Sequence, residues 1–178
     1  MSCHIPSALV HGALGQADQA LSCAHQALAL VEAMDDNAHE VATTYLNMSA
    51  FYQSKGQLDE ALDHIDRALR LFDGMEQVNI HYASAQSARG GVLYHLGRYD
   101  EAADAFREAA VYAERFWGRK SEYISAKTNL ATVCQASGEL AAAREHLTDA
   151  LRAGEALWGA EHPQVCSLRA LLRRLSEA

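Results

Sequence analysis

Residues 96–110, LGRYDEAADAFREAA, decide the fold because the chain carries this stretch four times. The other copies are LGQADQALSCAHQAL at 14–28, KGQLDEALDHIDRAL at 55–69 and SGELAAAREHLTDAL at 137–151. Each copy has a glycine at its second position, and the glycines are 41 residues apart: Gly15, Gly56, Gly97 and Gly138. Two alanines follow each glycine at fixed distances, namely Ala20 and Ala27, Ala61 and Ala68, Ala102 and Ala109, and Ala143 and Ala150. The chain is therefore predicted to consist of four copies of one structural unit.

Each unit is predicted to be a pair of helices, because apolar residues recur at helical spacing on both sides of the glycine. A glycine ends the first helix of a pair, and a short turn leads into the second. The predicted helices span residues 16–34, 39–55, 58–73, 80–96, 99–116, 121–137, 140–157 and 163–175, after a short first helix within 1–14. Pro163 occupies the first position of the last helix, where its missing N–H is harmless.

The repeat length predicts an all-α solenoid, in which each helix pair buries its apolar face against the next pair. We expect a single domain over residues 1–178, with repeats at about 1–41, 42–82, 83–123 and 124–162. The final helix, 163–176, alternates arginines with leucines and is predicted to cap the last repeat.

Composition limits the possible partners and surroundings. The chain has 178 residues, is 49% hydrophobic and has a formal net charge of −8, which opposes non-specific attraction to nucleic acid or anionic lipid. No stretch approaches 18 apolar residues, and the start has no basic head before an apolar run, so we expect neither a membrane span nor a signal peptide. The four cysteines form no CxxC pair and resemble neither a zinc site nor a disulfide framework, which favours a reduced, cytoplasmic setting.

The repeats resemble the tetratricopeptide repeat (TPR), whose signature joins an aromatic, Leu-Gly and Tyr in one helix to Ala and an aromatic in the next. The second repeat fits best, and the third and fourth follow the same positions. The matching residues are Tyr45, Met48, Ser49, Tyr52, Ala61 and Ile65; Gln86, Arg89, Gly90, Leu93, Ala102 and Phe106; and Lys127, Leu130, Ala131, Cys134, Ala143 and Leu147. The small residues are expected where the two helices of a pair cross.

The long period also resembles the repeats of kinesin light chain. The likeness rests on Asn129-Leu130-Ala131, on residues 138–151 and on LWGAEHPQV at 157–165. The earlier repeats lack the His-Pro element of His162-Pro163. The resemblance therefore implies the architecture, and kinesin binding is not carried over.

Acidic residues are unevenly distributed between the helices of a pair. Residues 1–15, 42–56, 83–97 and 124–138 contain no Asp or Glu, and their only Lys or Arg residues are Lys55, Arg89 and Lys127. Because the first helix of each TPR pair lines the concave face, the resemblance implies a neutral to mildly positive groove inside an acidic shell. Inner helices that lack room for charge would produce the same pattern.

The resemblance also supplies candidate groove residues, since the second and sixth positions of the inner helix often face the ligand in TPR domains that bind peptides. By register the candidates are Thr43, Asn47, Ser84, Ala88, Ser125 and Asn129, continued along the floor by Ala50, Gly91 and Thr132, with Arg89 and Lys127 as the basic members. Asn47 and Asn129 could clamp a peptide backbone, since an amide both donates and accepts. Alternatively, the amide of each Asn could form hydrogen bonds to a neighbouring helix. Arg89 could reach a carboxylate on a neighbouring helix or extend into the groove.

No pattern in the sequence predicts catalysis. The nine histidines form no HExxH motif, and neither GxSxG nor a phosphate-binding GxxxxGK[ST] is present. His64 and His146 share one repeat position but are two repeats apart, which is too far for a shared metal ion. We therefore expect no enzymatic activity, no cofactor and no metal.

The leading hypothesis is an interaction scaffold that binds a peptide or helical segment of a protein partner, acidic or polar, in its concave groove. Two alternatives stay open. Trp117 and Trp158, expected on the outer side, suggest a self-associating structural module and a homo-oligomer. Tandem TPRs beside catalytic or DNA-binding domains suggest a regulatory segment of a larger signalling, transcription or enzyme protein. Neither nucleic acid nor a membrane is expected as a partner.

Overall fold

A computed structural model describes residues 17–31, 37–75, 81–115 and 120–177, and every element within these ranges is a helix. The helices are α1 (Ala17–Val31), α2 (Ala38–Ser54), α3 (Leu58–Asp73), α4 (Tyr82–His95), α5 (Tyr99–Arg115), α6 (Lys120–Ala136), α7 (Leu140–Trp158) and α8 (Pro163–Glu177). The predicted all-α class is confirmed, and α8 begins at Pro163 as expected. The short helix predicted within 1–14 lies outside the described residues.

The chain divides into two compact units. The N-terminal unit, Met1–His81, contains α1 to α3, and the C-terminal unit, Tyr82–Ala178, contains α4 to α8. Helices that follow each other along the chain within a unit pack as neighbours. The single domain over 1–178 stays a prediction.

The glycine turns form as predicted in all three repeats where the structure describes them. Gly56, Gly97 and Gly138 have φ angles of 73°, 74° and 84°, a left-handed conformation that residues with a Cβ rarely adopt. At Gly56 the glycine N–H donates to the Gln53 carbonyl at 2.9 Å, and the next N–H, from Gln57, donates to the Tyr52 carbonyl at 2.9 Å. These are the two bonds of a Schellman motif, which ends the helix and reverses the chain. The same two bonds recur at Gly97 and Gly138.

Small residues lie at the crossings of the helix pairs, as predicted. Ala61, Ala102 and Ala143 on the outer helices are fully buried. On α4 the crossing leaves no room for a Cβ atom, because one built at Gly90 would lie 2.8 Å from the Phe106 ring of α5. The adjacent Gly91 differs, since a Cβ there would meet nothing within 4 Å. Packing therefore explains the first glycine of the pair and not the second.

Each unit has its own apolar core. In the N-terminal unit the core joins α1 to α2 through Ala20, Leu21, Cys23, Ala24, Met48 and Phe51. In the C-terminal unit it joins α6, α7 and α8 through Ile124, Ala131, Cys134, Ala143, Leu147, Ala150, Leu168 and Leu175. The last helix covers α7 closely at Gly154, where a Cβ atom would lie 3.3 Å from Val165. These contacts agree with its predicted role as a cap.

One contact between the helices of a pair recurs in three repeats and was not predicted. It joins an inner-helix residue to the outer-helix residue 22 positions later. Arg67 lies over the Tyr45 ring at 5.8 Å, Gln86 Nε2 donates to Glu108, and Lys127 Nζ lies 3.0 Å from Asp149 Oδ2. The two residues in this contact are polar or aromatic in all three repeats, but the type of interaction differs. It is a cation over a ring in the second repeat, an amide–carboxylate hydrogen bond in the third and an ion pair in the fourth.

His146 on α7 is half-buried beside the last of these contacts. Its Nδ1 atom is itself buried and finds no hydrogen-bond partner among the described residues. Burial, and next the charge of Lys127, lower the pKa of the His146 imidazole. The other charged groups acting on it are Glu145 and Asp149 of α7 and Arg107 of α5. The neutral ring is therefore the form that the folded chain favours.

We predict that Gly90→Ala destabilises the chain, because the added methyl group would overlap the Phe106 ring. Overpacking of this kind costs roughly 1–3 kcal/mol. Gly91→Ala is the matched control and should be neutral or stabilising by up to about 1 kcal/mol, since alanine favours helix over glycine and its Cβ meets open space. Urea unfolding followed by circular dichroism measures both. Equal effects of the two substitutions would contradict the packing described for α4 and α5.

We also predict that His146 makes stability depend on pH below about 6.5, the usual pKa of imidazole. Because its pKa is lowered in the folded chain, the unfolded chain takes up the proton more readily, and the free energy of unfolding falls as the pH decreases. Unfolding is measured at pH 7.5 and 5.5 for the wild type and for His146→Gln. The variant should lose less stability on acidification than the wild type. An identical loss in both proteins would rule out this role for His146.

Candidate functional site

Two clefts open on the inner-helix face of the C-terminal unit, which we define as the surface formed by α4, α6 and α8. The C-terminal cleft has a volume of about 320 Å³ and lies between α6, the end of α7 and α8. Its lining is Ser121, Ile124, Ser125, Thr128, Asn129, Trp158, Gln164, Ser167, Leu168 and Leu171. The cleft has an apolar wall and a rim of hydroxyl and amide groups.

The middle cleft, of about 240 Å³, lies on the other side of α6. It is lined by Ser87, Gly91, Tyr94, His95, Phe106, Asn129, Thr132 and Val133. The open space over Gly91 belongs to this cleft, and α4, α5 and α6 supply its walls. Asn129 is common to both clefts, so its side chain occupies the ridge between them.

The α6 helix presents the predicted stripe because Ser125, Asn129 and Thr132 are four and three residues apart, which places them on one face. Ser125 and Thr132 are exposed, and Asn129 is half-buried. The adjacent face of α6 carries the buried Ala126, Leu130 and Val133, of which Val133 borders the middle cleft. The predicted residues Gly91, Ser125, Asn129 and Thr132 are therefore brought together at the two clefts.

The Asn129 amide has no hydrogen-bond partner within the part of the chain that the structure describes. The alternative in which Asn129 satisfies a neighbouring helix therefore finds no support. A free carboxamide can donate two hydrogen bonds and accept two. Its half-buried position between two clefts leaves all of these open to a bound segment.

The hydroxyl groups around Asn129 are held by their own helices. Ser125, Thr128 and Thr132 on α6 donate to the carbonyl four residues earlier, at 3.0, 2.7 and 3.1 Å, and Ser167 on α8 does the same at 3.0 Å. Because the hydroxyl protons are used internally, the oxygen lone pairs are what these groups offer to a ligand. Both clefts thus present hydrogen-bond acceptors.

Neither cleft is lined by Asp, Glu, Lys or Arg. A more open depression of about 480 Å³ on α4 and α5 differs sharply, since its lining includes Asp104, Arg107, Glu108 and Arg115. The contrast agrees with the predicted distribution, in which inner helices lack acids and outer helices carry charge. The inner-helix face of the C-terminal unit is thus uncharged at its clefts.

The two basic candidates lie away from the clefts. Lys127 Nζ pairs with Asp149 of α7 and lies 5.5 Å from the Tyr123 ring, so its charge is used within the helix pair. Hydrogen bonding from Arg98 and, more weakly, the charge of Arg89 lower the pKa of Glu101 on α5. The charge of Arg89 thus favours the ionised form of a carboxylate on the neighbouring helix, and both alternatives for its side chain stay open.

The remaining candidates contribute to other surfaces. Ser84 is exposed and Ala88 half-buried on α4, outside the lining of both clefts. Thr43, Asn47 and Ala50 belong to α2 of the N-terminal unit. Ala50 is exposed and Thr43 donates to the His39 carbonyl at 2.8 Å. The Asn47 amide, like that of Asn129, makes no hydrogen bond within the described residues.

Several cleft residues were not among the predicted candidates. Trp158 was expected on the outer side, yet it lines the C-terminal cleft and stacks on His162 with ring centroids 5.0 Å apart. It therefore no longer supports self-association. Leu168 and Leu171 belong to α8, which the sequence predicts only as a cap. Because α8 follows an outer helix, it also occupies the place of an inner helix in the stack. The spacing of Gln164, Leu168 and Leu171 could have indicated this surface, since it places all three residues on one face of α8.

The cysteines depart in part from the expected reduced state. Cys134 and Cys166 are free thiols, and burial raises the pKa of the Cys134 thiol. Cys23, however, is disulfide-bonded, which the wide spacing of the cysteines did not predict. Within the described residues, no His, Cys, Asp and Glu side chains form a group of three that could hold a metal ion.

No helix in the described ranges combines the length and the apolar character needed to cross a membrane.

Comparisons with solved structures show the same fold. BtubC (BKLC) from P. vanneervenii matches with a TM-score of 0.87 at 15% sequence identity, over 96% of this chain and 69% of that one. The nearly identical TPR-like repeats of a Podosopora anserina protein described as a kinesin light chain give a TM-score of 0.83 at 18% identity, over 97% and 83%. The apo form of RapI also gives 0.83 at 18% identity, over 96% of this chain and 60% of RapI. The predicted likeness to kinesin light chain repeats is confirmed for the fold.

Comparisons of sequence identify the family. No curated protein sequence matches the chain. The family model of the tetratricopeptide repeat matches residues 5–73 and 81–172, which together make up most of the chain. The family and the fold are typical of scaffolds for protein interactions that have no enzymatic activity. The chain therefore belongs to the tetratricopeptide repeat family.

Proposed function

We propose that the inner-helix face of the C-terminal unit binds an extended segment of a protein partner, with Asn129 at its centre. The observation that supports this most directly is the free Asn129 amide between two uncharged clefts. An amide in this position can bond to both the N–H and the C=O of a peptide group. Side chains on either side of that peptide group would then enter the C-terminal and middle clefts.

The chemistry of the clefts favours a neutral segment over an acidic one. The hydroxyl oxygens around Asn129 offer lone pairs, which repel carboxylates and accept from N–H groups. Ile124, Trp158, Leu168 and Leu171 form an apolar wall in the C-terminal cleft. Of the acidic or polar partner considered from the sequence, we therefore retain the polar one, with apolar side chains as anchors.

The N-terminal unit offers a second candidate surface, considered by itself. Asn47 of α2 occupies the same position of its inner helix as Asn129, and its amide makes no hydrogen bond within the described residues. We propose that Thr43, Asn47 and Ala50 of this helix form that second surface for a peptide segment. We also propose a cytoplasmic location, which the free Cys134 and Cys166 support and the disulfide at Cys23 opposes.

The test is a random-sequence peptide library displayed on phage and selected against the wild-type chain, followed by affinity measurements on the variants. We predict that Asn129→Ala weakens the selected peptides by about 1–2 kcal/mol, the net value of one or two hydrogen bonds, or about 5- to 30-fold. Gln135→Ala is the matched control, because it removes an exposed amide from the same helix outside both clefts. It should leave affinity unchanged.

Two results would count against the proposed site. Selected peptides that bind Asn129→Ala as tightly as the wild type would place the binding surface elsewhere. A library that yields no binder to the folded wild-type chain would remove peptide binding as its function.

A further inference from the structure

The two clefts impose a spacing on whatever binds across them. They lie on opposite sides of α6, with Asn129 between them. Packed helices are roughly 8–10 Å apart, so the grooves on the two sides of one helix repeat at about that distance. A segment that fills both clefts must therefore present two side chains on one face at this separation.

Regular extended conformations differ in whether they satisfy this spacing. A β-strand rises about 3.3 Å per residue and turns alternate side chains to opposite faces, so residues on one face are about 6.6 or 13 Å apart. A polyproline II helix has three residues per turn and rises about 3.1 Å per residue. Its residues i and i+3 therefore share a face at about 9.3 Å, which falls within the roughly 8–10 Å spacing expected for grooves on the two sides of one helix.

The walls of the clefts favour the same conformation. The C-terminal cleft contains Trp158, whose ring is fixed by stacking on His162 at an interplanar angle of 21°. The middle cleft contains Tyr94 and Phe106. Grooves lined by aromatic rings and lacking charge suit proline-rich segments, whose stiff chain loses little entropy on binding. Such a segment makes no internal hydrogen bonds, so its carbonyl groups can accept from the Asn129 amide. Prolines have no N–H, so the N–H groups that the hydroxyl oxygens around Asn129 can accept come from the non-proline anchor residues.

Gly91 adds an independent observation. A glycine inside a helix costs about 1 kcal/mol relative to alanine, and nothing packs against this one. Gly90 beside it is required by the Phe106 ring, so the second glycine has a cost with no packing benefit. Its effect is to keep the floor of the middle cleft open to the main chain of α4.

We propose that the partner segment is a proline-rich strand in the polyproline II conformation, with apolar anchors three residues apart that occupy the two clefts. This rests on the proposed function, because it specifies the segment bound at the same face. The anchor in the C-terminal cleft contacts Trp158 and the leucines of α8. The other lies against Gly91, and Asn129 bonds to the main chain between them.

The test uses decapeptides of identical composition, each with eight prolines and two leucines. In one peptide the leucines are three residues apart, in the second two apart and in the third four apart. Each carries a fluorescein label, and binding to the full chain is measured by fluorescence anisotropy. The peptide with leucines three apart should bind at least tenfold more tightly than the other two.

Variants of the chain connect this preference to the clefts. Gly91→Leu fills the floor of the middle cleft with a residue that favours helix, and it should abolish the preference for the three-residue spacing. Gln135→Ala should retain that preference. Circular dichroism confirms that each variant is folded before binding is compared.

The failure of this proposal differs from the failure of the proposed function. Equal affinity for the three spacings, or no binding of any, overturns the polyproline II segment. If selected library peptides still bind and still depend on Asn129, the peptide-binding face stands with a different bound conformation. If those peptides do not depend on Asn129 either, both proposals fall.

Discussion

The contact between α4 and α5 at Gly90 and Phe106 is the constraint on which the C-terminal unit depends. The ring lies where a Cβ atom would be, so the two helices can cross this closely only without a side chain at that position. A close crossing fixes which faces of the helices turn inward. The fully buried Ala102 and Ala143 are small residues that likewise allow the outer helices α5 and α7 to pack closely against their partners. The exposed stripe that carries the clefts is a consequence of that packing.

The fold follows from the sequence because its determinants are local and periodic. Glycines with positive φ follow the ends of α2, α4 and α6, and an alanine five residues after each glycine marks the crossing. Few residues can replace a glycine with positive φ or a small residue at a close crossing, so the four copies of this pattern are easy to recognise in the sequence. The helix ends at Gly56, Gly97 and Gly138 could be placed almost to the residue for the same reason.

The site could be predicted only in part, because it depends on contacts that no periodic pattern contains. The structure brings Asn129, Ser125, Thr132 and Gly91 together at the two clefts, and the α6 members could be grouped beforehand because a helix face follows from spacing alone. The ion pair of Lys127 could not be predicted, because Asp149 is 22 residues away and the chemistry of this contact changes in every repeat. Trp158 was expected on the outer side because it belongs to an outer helix. In the structure it lines the cleft with residues of α8, a contact that the 41-residue repeat does not predict.

The proposed binding face is where the chain departs from its own repeat. Tyr45, Gln86 and Lys127 occupy one repeat position and are all used inside helix pairs, so variation there serves the fold. Asn129 is different, because within the described part of the chain its amide makes no hydrogen bond and no charged residue lines the two clefts beside it. A scaffold of small residues thus leaves one polar ridge between two apolar clefts. This combination suits a neutral segment held by its main chain.

The most direct measurement is a crystal structure of the chain bound to the tightest peptide recovered from a library selected without regard to sequence. The peptide main chain should cross α6 within hydrogen-bonding distance of the Asn129 amide, with one side chain in each cleft. A peptide bound to the charged surface of α5, or one that leaves Asn129 without a partner, would contradict the site described for the C-terminal unit.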